Sequence, residues 1–482
     1  MNNKMKNTVV LIYPKTGPKL IKPPFGAMSL STSLKAEGFK FFFIDSRLEN
    51  YKKKLRSIMS NEQVLFVGVS SMTGPQISHA LQISKYVKTN WKVPVVWGGI
   101  HASSLPEQTL QNKFIDLVVI GQGDITIKRL TKALKEKKSI ASIPGIAYKS
   151  KNKIIINPVD STTRIKQVPL YDWSIINPNK YLEYNLIGKK ALSMFTSRGC
   201  PNNCTFCYAP MFHKHYWVSQ SAEDVISEVD YLKTRTDFDG IFFNDDNFFV
   251  DKKRAKKICL EMKKRNIKYG LSLTISNFKE EDAKFLSENN CERVDFGGES
   301  GSEKILGYIN KRQTPKQIIS AVKLTKKYNL DACISFVMGH PKETEEDLNK
   351  TLDLINQLRK INPHITINSL KILTPYPGSK FFYEAQTFGF KPPKKLEEWA
   401  NFYWENITTP WIKNKWKYEA ITFSSLIYFF RYRLKQKNVL FNIIIDFLVP
   451  IEKFRWNKRF WKFPIEIFLM KKIIERINDS LK

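Results

Sequence analysis

The amino-acid sequence predicts an α/β protein: an open, doubly wound (Rossmann-like) sheet domain, then a partial (β/α)6 barrel, then an α-helical C-terminal region. Three observations lead there. Short, nearly continuous apolar runs alternate with amphipathic stretches in two separate series, the pattern of parallel strands covered by helices on both faces. Polar and glycine-rich groups follow those runs closely, at strand carboxyl ends. Residues 380–482 then change character, holding 6 of the 10 tryptophans and 20 Lys and Arg against 10 Asp and Glu.

In the first series, residues 1–135, the strands are TVVLIY, FKFFFID, VLFVGVS, VPVVWGG and DLVVIG, with FGAMSLSTSLKAEG and GPQISHALQISKYVKTN as helices. In such sheets ligands lie beyond the strand carboxyl ends. Residues 136–190 read as a connection with a small hairpin in IPGIAYKSKNKIIINPVD, followed by the Pro- and Asn-rich VPLYDWSIINPNKY. The second series, residues 191–378, has the strands ALSMFTS, GIFFND, YGLSLT, RVDFGGE, DACISFVMG and ITINSLKIL. SAEDVISEVDYLKTR is a helix with a Ser cap and early acids. In residues 379–482, EEWANFYWEN and PIEIFLMKKIIERI read as helical. A cap packed on the barrel and a surface for membrane or hydrophobic substrate both fit this basic, aromatic region.

Composition sets bounds. Six cysteines in 482 residues make no disulfide framework, and a reducing cytoplasm is the expected setting. The opening MNNKMKNTVVLIYP lacks a secretory pattern. The run FNIIIDFLVPI is too short to span a bilayer, which leaves peripheral contact as the only membrane option read here. The net charge of +33 is scattered rather than striped, so a solvated basic surface is expected and no nucleic-acid partner.

The most informative stretch is TSRGCPNNCTFCYAP. Cys200, Cys204 and Cys207 lie at i, i+4 and i+7 after a strand, with no further cysteine for fifty residues. Zinc completed by His213 or His215 is one reading of this spacing. Three irons of a cubane cluster, with the fourth open to a small molecule, is another. Other polar groups share the strand-end position: Arg198, Asp245 with Asp246 and Asn247, Ser276, Glu299, Gly339 and PYPGS at 375–379. In parallel α/β barrels that end forms the active face. Cys259, Cys291 and Cys333 fall in helix or strand contexts and read as core thiols.

This C-x3-C-x2-C, with aromatic Phe206 before its last cysteine, resembles the hallmark of the radical S-adenosylmethionine superfamily. The resemblance implies a [4Fe-4S] cluster on the three cysteines and S-adenosylmethionine on the fourth iron, cleaved to a 5′-deoxyadenosyl radical. It also implies S-adenosylmethionine contacts at Phe206, Asp245, Glu299 and Ser300. Tyr208 and Tyr376 are aromatics of the same face that would order substrate or adenine.

In the first series, GVSSMT, GGIHASSLPE and GQGD end the third, fourth and fifth strands, whereas the first turn lacks the G-x-G-x-x-G of a nucleotide site. Those motifs, with PPFGAMSL, resemble the cobalamin-binding domain found ahead of the radical domain in one large subfamily. The resemblance implies cobalamin contacts at Ser70, Thr73, Gly98, Gly99, His101, Gly121 and Gly123. The absence of D-x-H-x-x-G implies a base-off cofactor without a protein histidine. By resemblance the chain is a cobalamin-dependent methyltransferase acting on an unactivated carbon or a phosphorus of a small-molecule or lipid substrate, with an electron donor such as flavodoxin or ferredoxin. An oxidative cyclase or rearrangement enzyme of the same architecture is the alternative. A methylthiotransferase would need three further cysteines, and residues 1–199 contain none. A non-enzymatic membrane or nucleic-acid binder with a structural metal site stands as the reading from another class.

Overall fold

Val9, Val10, Leu11 and Ile12 are all buried, as a strand covered on both faces requires. In the computed structural model, which describes residues 7–15, 21–184, 186–403, 409–434, 439–462 and 465–466, they form β1, Thr8–Tyr13. The chain divides into two compact units. One comprises Met1–Ser272, Pro375–Thr387 and Lys391–Asn406, the other Leu273–Thr374, Phe388–Phe390 and Ile407–Lys482.

The first unit opens with β1, β2 (Lys40–Asp45), β3 (Val64–Ser70), β4 (Val95–Gly98) and β5 (Leu117–Val119), paired in parallel in the order 2-1-3-4-5. All five apolar runs became strands. Helices Phe25–Lys35 and Gly123–Lys135 bury Leu34, Ile127 and Leu130 in one core with Phe41, Phe43 and Phe66. The order reverses between β1 and β3, and such a switch point opens a crevice at the strand carboxyl ends. The expected hairpin, β6 (Ile146–Ser150) and β7 (Lys153–Ile156), is present. It is more than a connection, because β6 pairs antiparallel with β5 and extends the sheet. Apolar Ile146 and Ala147 against polar Lys149 and Ser150 suit a strand near an edge.

The same unit holds β8 (Glu183–Tyr184), antiparallel to β9 (Lys190–Met194), then β12 (Gly240–Phe243), parallel to β9, and all but the last residue of β13 (Lys268–Leu273), parallel to β12. Between β9 and β12 a two-rung ribbon forms, β10 (Ser197–Arg198) on β11 (Val218–Ser219). It closes the base of the loop that carries all three clustered cysteines. The helix Ala222–Lys233 begins at the expected Ser221 cap, whose Oγ accepts from the Asp224 N–H at 3.0 Å.

The second unit contains β14 (Cys291–Glu299), β15 (Asp331–Met338) and β16 (Thr366–Ile372), all parallel. Its helices Pro315–Lys327 and Glu345–Ile361 start with capping boxes, Thr314 with Gln317 and Thr344 with Asp347. Helices Lys415–Leu434 and Val439–Lys458 complete it; Thr422 donates to the Leu370 carbonyl of β16 at 2.8 Å and Trp456 to Asn356 at 2.7 Å. This agrees with the expectation of a helical cap. EEWANFYWEN is shorter than expected: Leu396–Asn401 is a 3-10 turn, and 404–406 lie outside the described residues. Most of PIEIFLMKKIIERI also lies outside them. Among the described residues no helix is long and apolar enough to cross a membrane. Cys259, Cys291 and Cys333 are buried, as expected of core thiols.

Candidate active site: a cysteine loop beside a glycine-edged cavity

Arg198, at the end of β10, shows how the cysteine loop is seated. Its guanidinium donates to Asp124 at 2.7 Å and to Ser29 Oγ at 2.6 Å, and Ser29 in turn donates to Asp124. Burial alone would raise the Asp124 carboxyl, but the Arg198 charge and the hydrogen bonds hold it below its usual value. Two helices of the first sheet are thereby tied to the base of the loop. Asp124 is the residue that departs from glutamate in GQGD, and this pairing is its role in the structure. Removing one partner of a buried pair strands the other charge. Asp124→Ala is therefore expected to cost about 3–5 kcal/mol, read as a lowered urea midpoint, with part recovered in Asp124→Ala/Arg198→Met.

Cys204 is buried and Cys200 and Cys207 are half-buried, none of them in a disulfide. Burial pushes the Cys207 thiol up to about 12, the Ala209 N–H opposes this, and Asp246, Cys204 and Cys200 add to it. Cys204 and Cys200 thus both act on Cys207, and a cysteine must lose its proton to ligate metal. No three His, Cys, Asp or Glu among the described residues are disposed to share a single metal ion. His213 Nδ1 is instead hydrogen-bonded to Gln122 at 2.8 Å. Three thiolates, one to each of three irons, are the donor set that a cubane cluster would take.

Gly199 is a residue the sequence reading passed over. It has φ +86°, and a Cβ there would lie 2.3 Å from the Tyr216 carbonyl oxygen. Only glycine fits both the left-handed backbone and that close approach. Gly199→Ala should prevent normal closure of the loop at a cost of about 1–3 kcal/mol. Iron retained after anaerobic reconstitution should fall well below the unmodified protein's.

Asp245 is not a free carboxylate. Its oxygens accept from the Thr196 N–H and hydroxyl, both at 2.5 Å, and from the Ser197 N–H at 3.1 Å. Desolvation raises its pKa against those bonds. It therefore orders the strand leading into the loop. Asp246, one residue on, has the accessible side chain; desolvation and then Asp245 push its carboxyl up to about 6. It also acts electrostatically on Cys207 and Tyr208. Phe206 is half-buried on the loop, and the Tyr208 ring packs on Phe212 at 6.1 Å.

A cavity of about 630 Å3 opens at the β1/β3 switch point. Its walls include Tyr13, Ser70 and Gly98 at the ends of β1, β3 and β4, Gly99 just after β4, and Gly121 and Gly123 after β5. Phe195, Arg198, Phe212 and His213, which flank the cysteines in sequence, close its other side. The volume is within the usual range for a cofactor site, about 300–1,000 Å3. Gly26 and Gly98 carry the fit to a bulky planar ligand: a Cβ at Gly26 would meet nothing within 4 Å, and at Gly98 only the Val119 carbonyl at 3.9 Å. Gly99 has another reason to be glycine, since its Cβ would stand 2.6 Å from the Ser71 carbonyl with φ +95°.

Thr73 and His101 are not brought to this cavity. They face each other at 2.9 Å, and His101 is fully buried with its ring against Trp399. Burial lowers the His101 pKa to about 3, so the ring is neutral. Tyr376 packs on Phe402, 6.0 Å between centroids.

In the second unit, Glu299 ends β14 with φ 64°, a left-handed backbone rare outside glycine and asparagine. Lys311 donates to it at 2.9 Å, and Gln313 donates to the Gly297 and Gly298 carbonyls, each at 2.9 Å. Lys311 and Gln313 hold FGGE in place and carried no motif signal. Ser300 is fully buried, its hydroxyl beside Thr351 at 3.1 Å and accepting from the Ser302 N–H. As placed, it braces its own turn.

The cysteine triplet thus lies beside a glycine-edged cavity at a switch point. Comparison with known proteins identifies the class. The radical SAM superfamily model matches residues 194–355 and the B12 binding domain model residues 18–131. An uncharacterized methyltransferase of Pyrococcus horikoshii is 33% identical over 366 residues, 75% of this chain and 78% of its own. The anaerobic magnesium-protoporphyrin IX monomethyl ester cyclase of Rubrivivax gelatinosus is 26% identical over 377 residues, 75% of this chain and 66% of its own. Among solved structures, the cobalamin-dependent radical enzyme OxsB covers 94% of this chain and 72% of its own with TM-score 0.72 at 19% identity. The radical SAM methyltransferase TsrM of Kitasatospora setae covers 80% and 75% with TM-score 0.65 at 20% identity. These two share the fold.

The chain belongs to the radical SAM superfamily and carries a B12 binding domain ahead of its radical SAM half-barrel. It is an enzyme, and the cofactors of its class are a [4Fe-4S] cluster, S-adenosylmethionine and cobalamin.

Proposed function

We propose that the enzyme transfers a methyl group from S-adenosylmethionine, by way of cobalamin, to an unactivated carbon or a phosphorus of a small organic substrate. The observation that carries the reading is the shared wall: residues flanking the cysteines and the glycine ends of β4 and β5 line one cavity. The relatives named as methyltransferases support it, among them the cytidylyl-2-hydroxyethylphosphonate methyltransferase of Streptomyces wedmorensis and the bacteriochlorophyllide d C-8(2)-methyltransferase of Chlorobaculum tepidum. The relatives named as cyclases favour the second reading, an oxidative ring closure on the same scaffold.

Bound at these positions, cluster, S-adenosylmethionine and cobalamin supply radical generation and methyl transfer. The chain's own residues do the rest. Cys200, Cys204 and Cys207 hold iron, and the β10–β11 ribbon fixes the loop that carries them. Phe25, Phe66, Phe195 and Phe212 line the cavity with apolar surface suited to a large, largely apolar ring. Arg198, locked by Asp124 and Ser29, holds the loop base against the cavity. Glu299, set in its left-handed turn by Lys311, is the proposed S-adenosylmethionine contact of the second unit.

The test requires no knowledge of the substrate. Reconstituted enzyme with reduced cobalamin is given S-adenosylmethionine labelled with deuterium in its methyl group. Methyl transfer predicts deuterated methylcobalamin together with S-adenosylhomocysteine. Formation of 5′-deoxyadenosine alone, with unlabelled cobalamin, would favour the cyclase reading.

A further inference from the structure

His101 sits in GGIHASSLPE, among residues that edge the cavity, yet it is fully buried and faces elsewhere. Thr73 Oγ1 is 2.9 Å from its Nδ1, and its ring meets Trp399 edge-on at 5.5 Å. Trp399 is itself fully buried and donates through its indole N–H to Gln108 at 2.6 Å, while the Gly74 N–H donates to the Trp399 carbonyl at 3.1 Å. Gln108 donates onward to the Pro393 carbonyl, and Asn112 to Glu397. A segment almost 300 residues downstream is thus fastened to the first sheet's loops through one tryptophan.

The same segment reaches the cysteine loop. The Trp399 ring lies 6.1 Å from that of Phe382. The neighbouring Phe381 donates its N–H to the carbonyl of Thr205 at 2.8 Å, and Thr205 stands between Cys204 and Cys207. Close by, Gly378 abuts Ser104, whose Oγ would lie 2.4 Å from a Cβ there, with φ +87°. An unbroken path runs from His101 through Trp399 and Phe382 to the backbone of the cysteine loop.

We propose that His101 is a positioning residue which, acting through Trp399, braces the cysteine loop against the first sheet. Neutral, buried imidazole suits the role: it satisfies Thr73 and gives Trp399 a flat partner without a charge to solvate. The inference rests on the cysteine loop being the cluster site, but its first readout is independent of any cofactor.

Hydrogen exchange on the full-length protein tests it, comparing the unmodified chain with Trp399→Leu, Trp399→Phe and His101→Asn. In Trp399→Leu, peptides spanning residues 200–208 are expected to exchange faster by about tenfold, as local opening becomes easier. Peptides from β1 and β12 should stay unchanged. Trp399→Phe keeps an aromatic partner and should restore most of the protection, with His101→Asn in between. After anaerobic reconstitution, the paramagnetic signal of the reduced cluster should respond to S-adenosylmethionine less uniformly in Trp399→Leu than in Trp399→Phe. Unchanged exchange in the loop, or equal acceleration throughout the chain, would overturn the proposal.

Discussion

Replacing Cys204 with alanine is expected to abolish cleavage of S-adenosylmethionine. Iron and sulfide after anaerobic reconstitution should fall to background, with the visible absorption of the cluster lost and no 5′-deoxyadenosine formed. On the proposed reading the substitution removes one of the three cluster ligands. The remaining cysteines, Cys259, Cys291 and Cys333, are buried as core thiols. The fold should survive, because a buried cysteine behaves as a small hydrophobe and the loop base is held independently by Arg198, Asp124 and Asp245. Circular dichroism and the urea midpoint check that survival. A folded variant that still holds a full cluster would place the iron site elsewhere.

The second large effect is expected at Gly98. A leucine there adds a side chain where a Cβ now meets only the Val119 carbonyl, at a position lining the 630 Å3 cavity. Overpacking of this kind costs a folded protein about 1–3 kcal/mol, but a rigid corrin has no rotamer with which to avoid it. Gly98→Leu should therefore retain less than about a tenth of the cobalamin held by the unmodified chain. The cluster and its reductive cleavage of S-adenosylmethionine should persist. Cobalamin is read from its absorption after extraction, and cleavage from 5′-deoxyadenosine. Parallel loss of iron would mean that the substitution acts on the fold rather than on the cavity.

These two effects also mark what could be read from the sequence. Continuous apolar runs such as VLFVGVS, short and rich in β-branched residues, suit a strand buried on both faces, and so the sheets were legible. The cysteine spacing was legible because cluster chemistry constrains three residues lying within eight positions. The glycines after β4 and β5 were legible as a group, but not their separate reasons: Gly98 leaves space, whereas Gly99 avoids the Ser71 carbonyl. Asp245 and His101 show the limit. Both stand where a motif places a ligand contact, and both are consumed by the protein, one on Thr196 and Ser197, the other on Thr73 and Trp399. Those partners lie tens to hundreds of residues away. The same holds for Lys311 and Gln313, which set the backbone of FGGE from outside the motif. Local pattern tells which residue types a site needs; it does not tell which of them the fold has already satisfied.

The central claim, that cluster and corrin chemistry work together in this chain, is tested most directly by the cobalamin content of protein purified and reconstituted without oxygen, with iron, sulfide and cobalamin supplied. The account predicts close to one cobalamin per chain beside an intact cluster. An intact cluster that cleaves S-adenosylmethionine in protein holding no cobalamin would contradict it, and would leave the glycine-edged cavity as scaffold in a radical enzyme without a second cofactor.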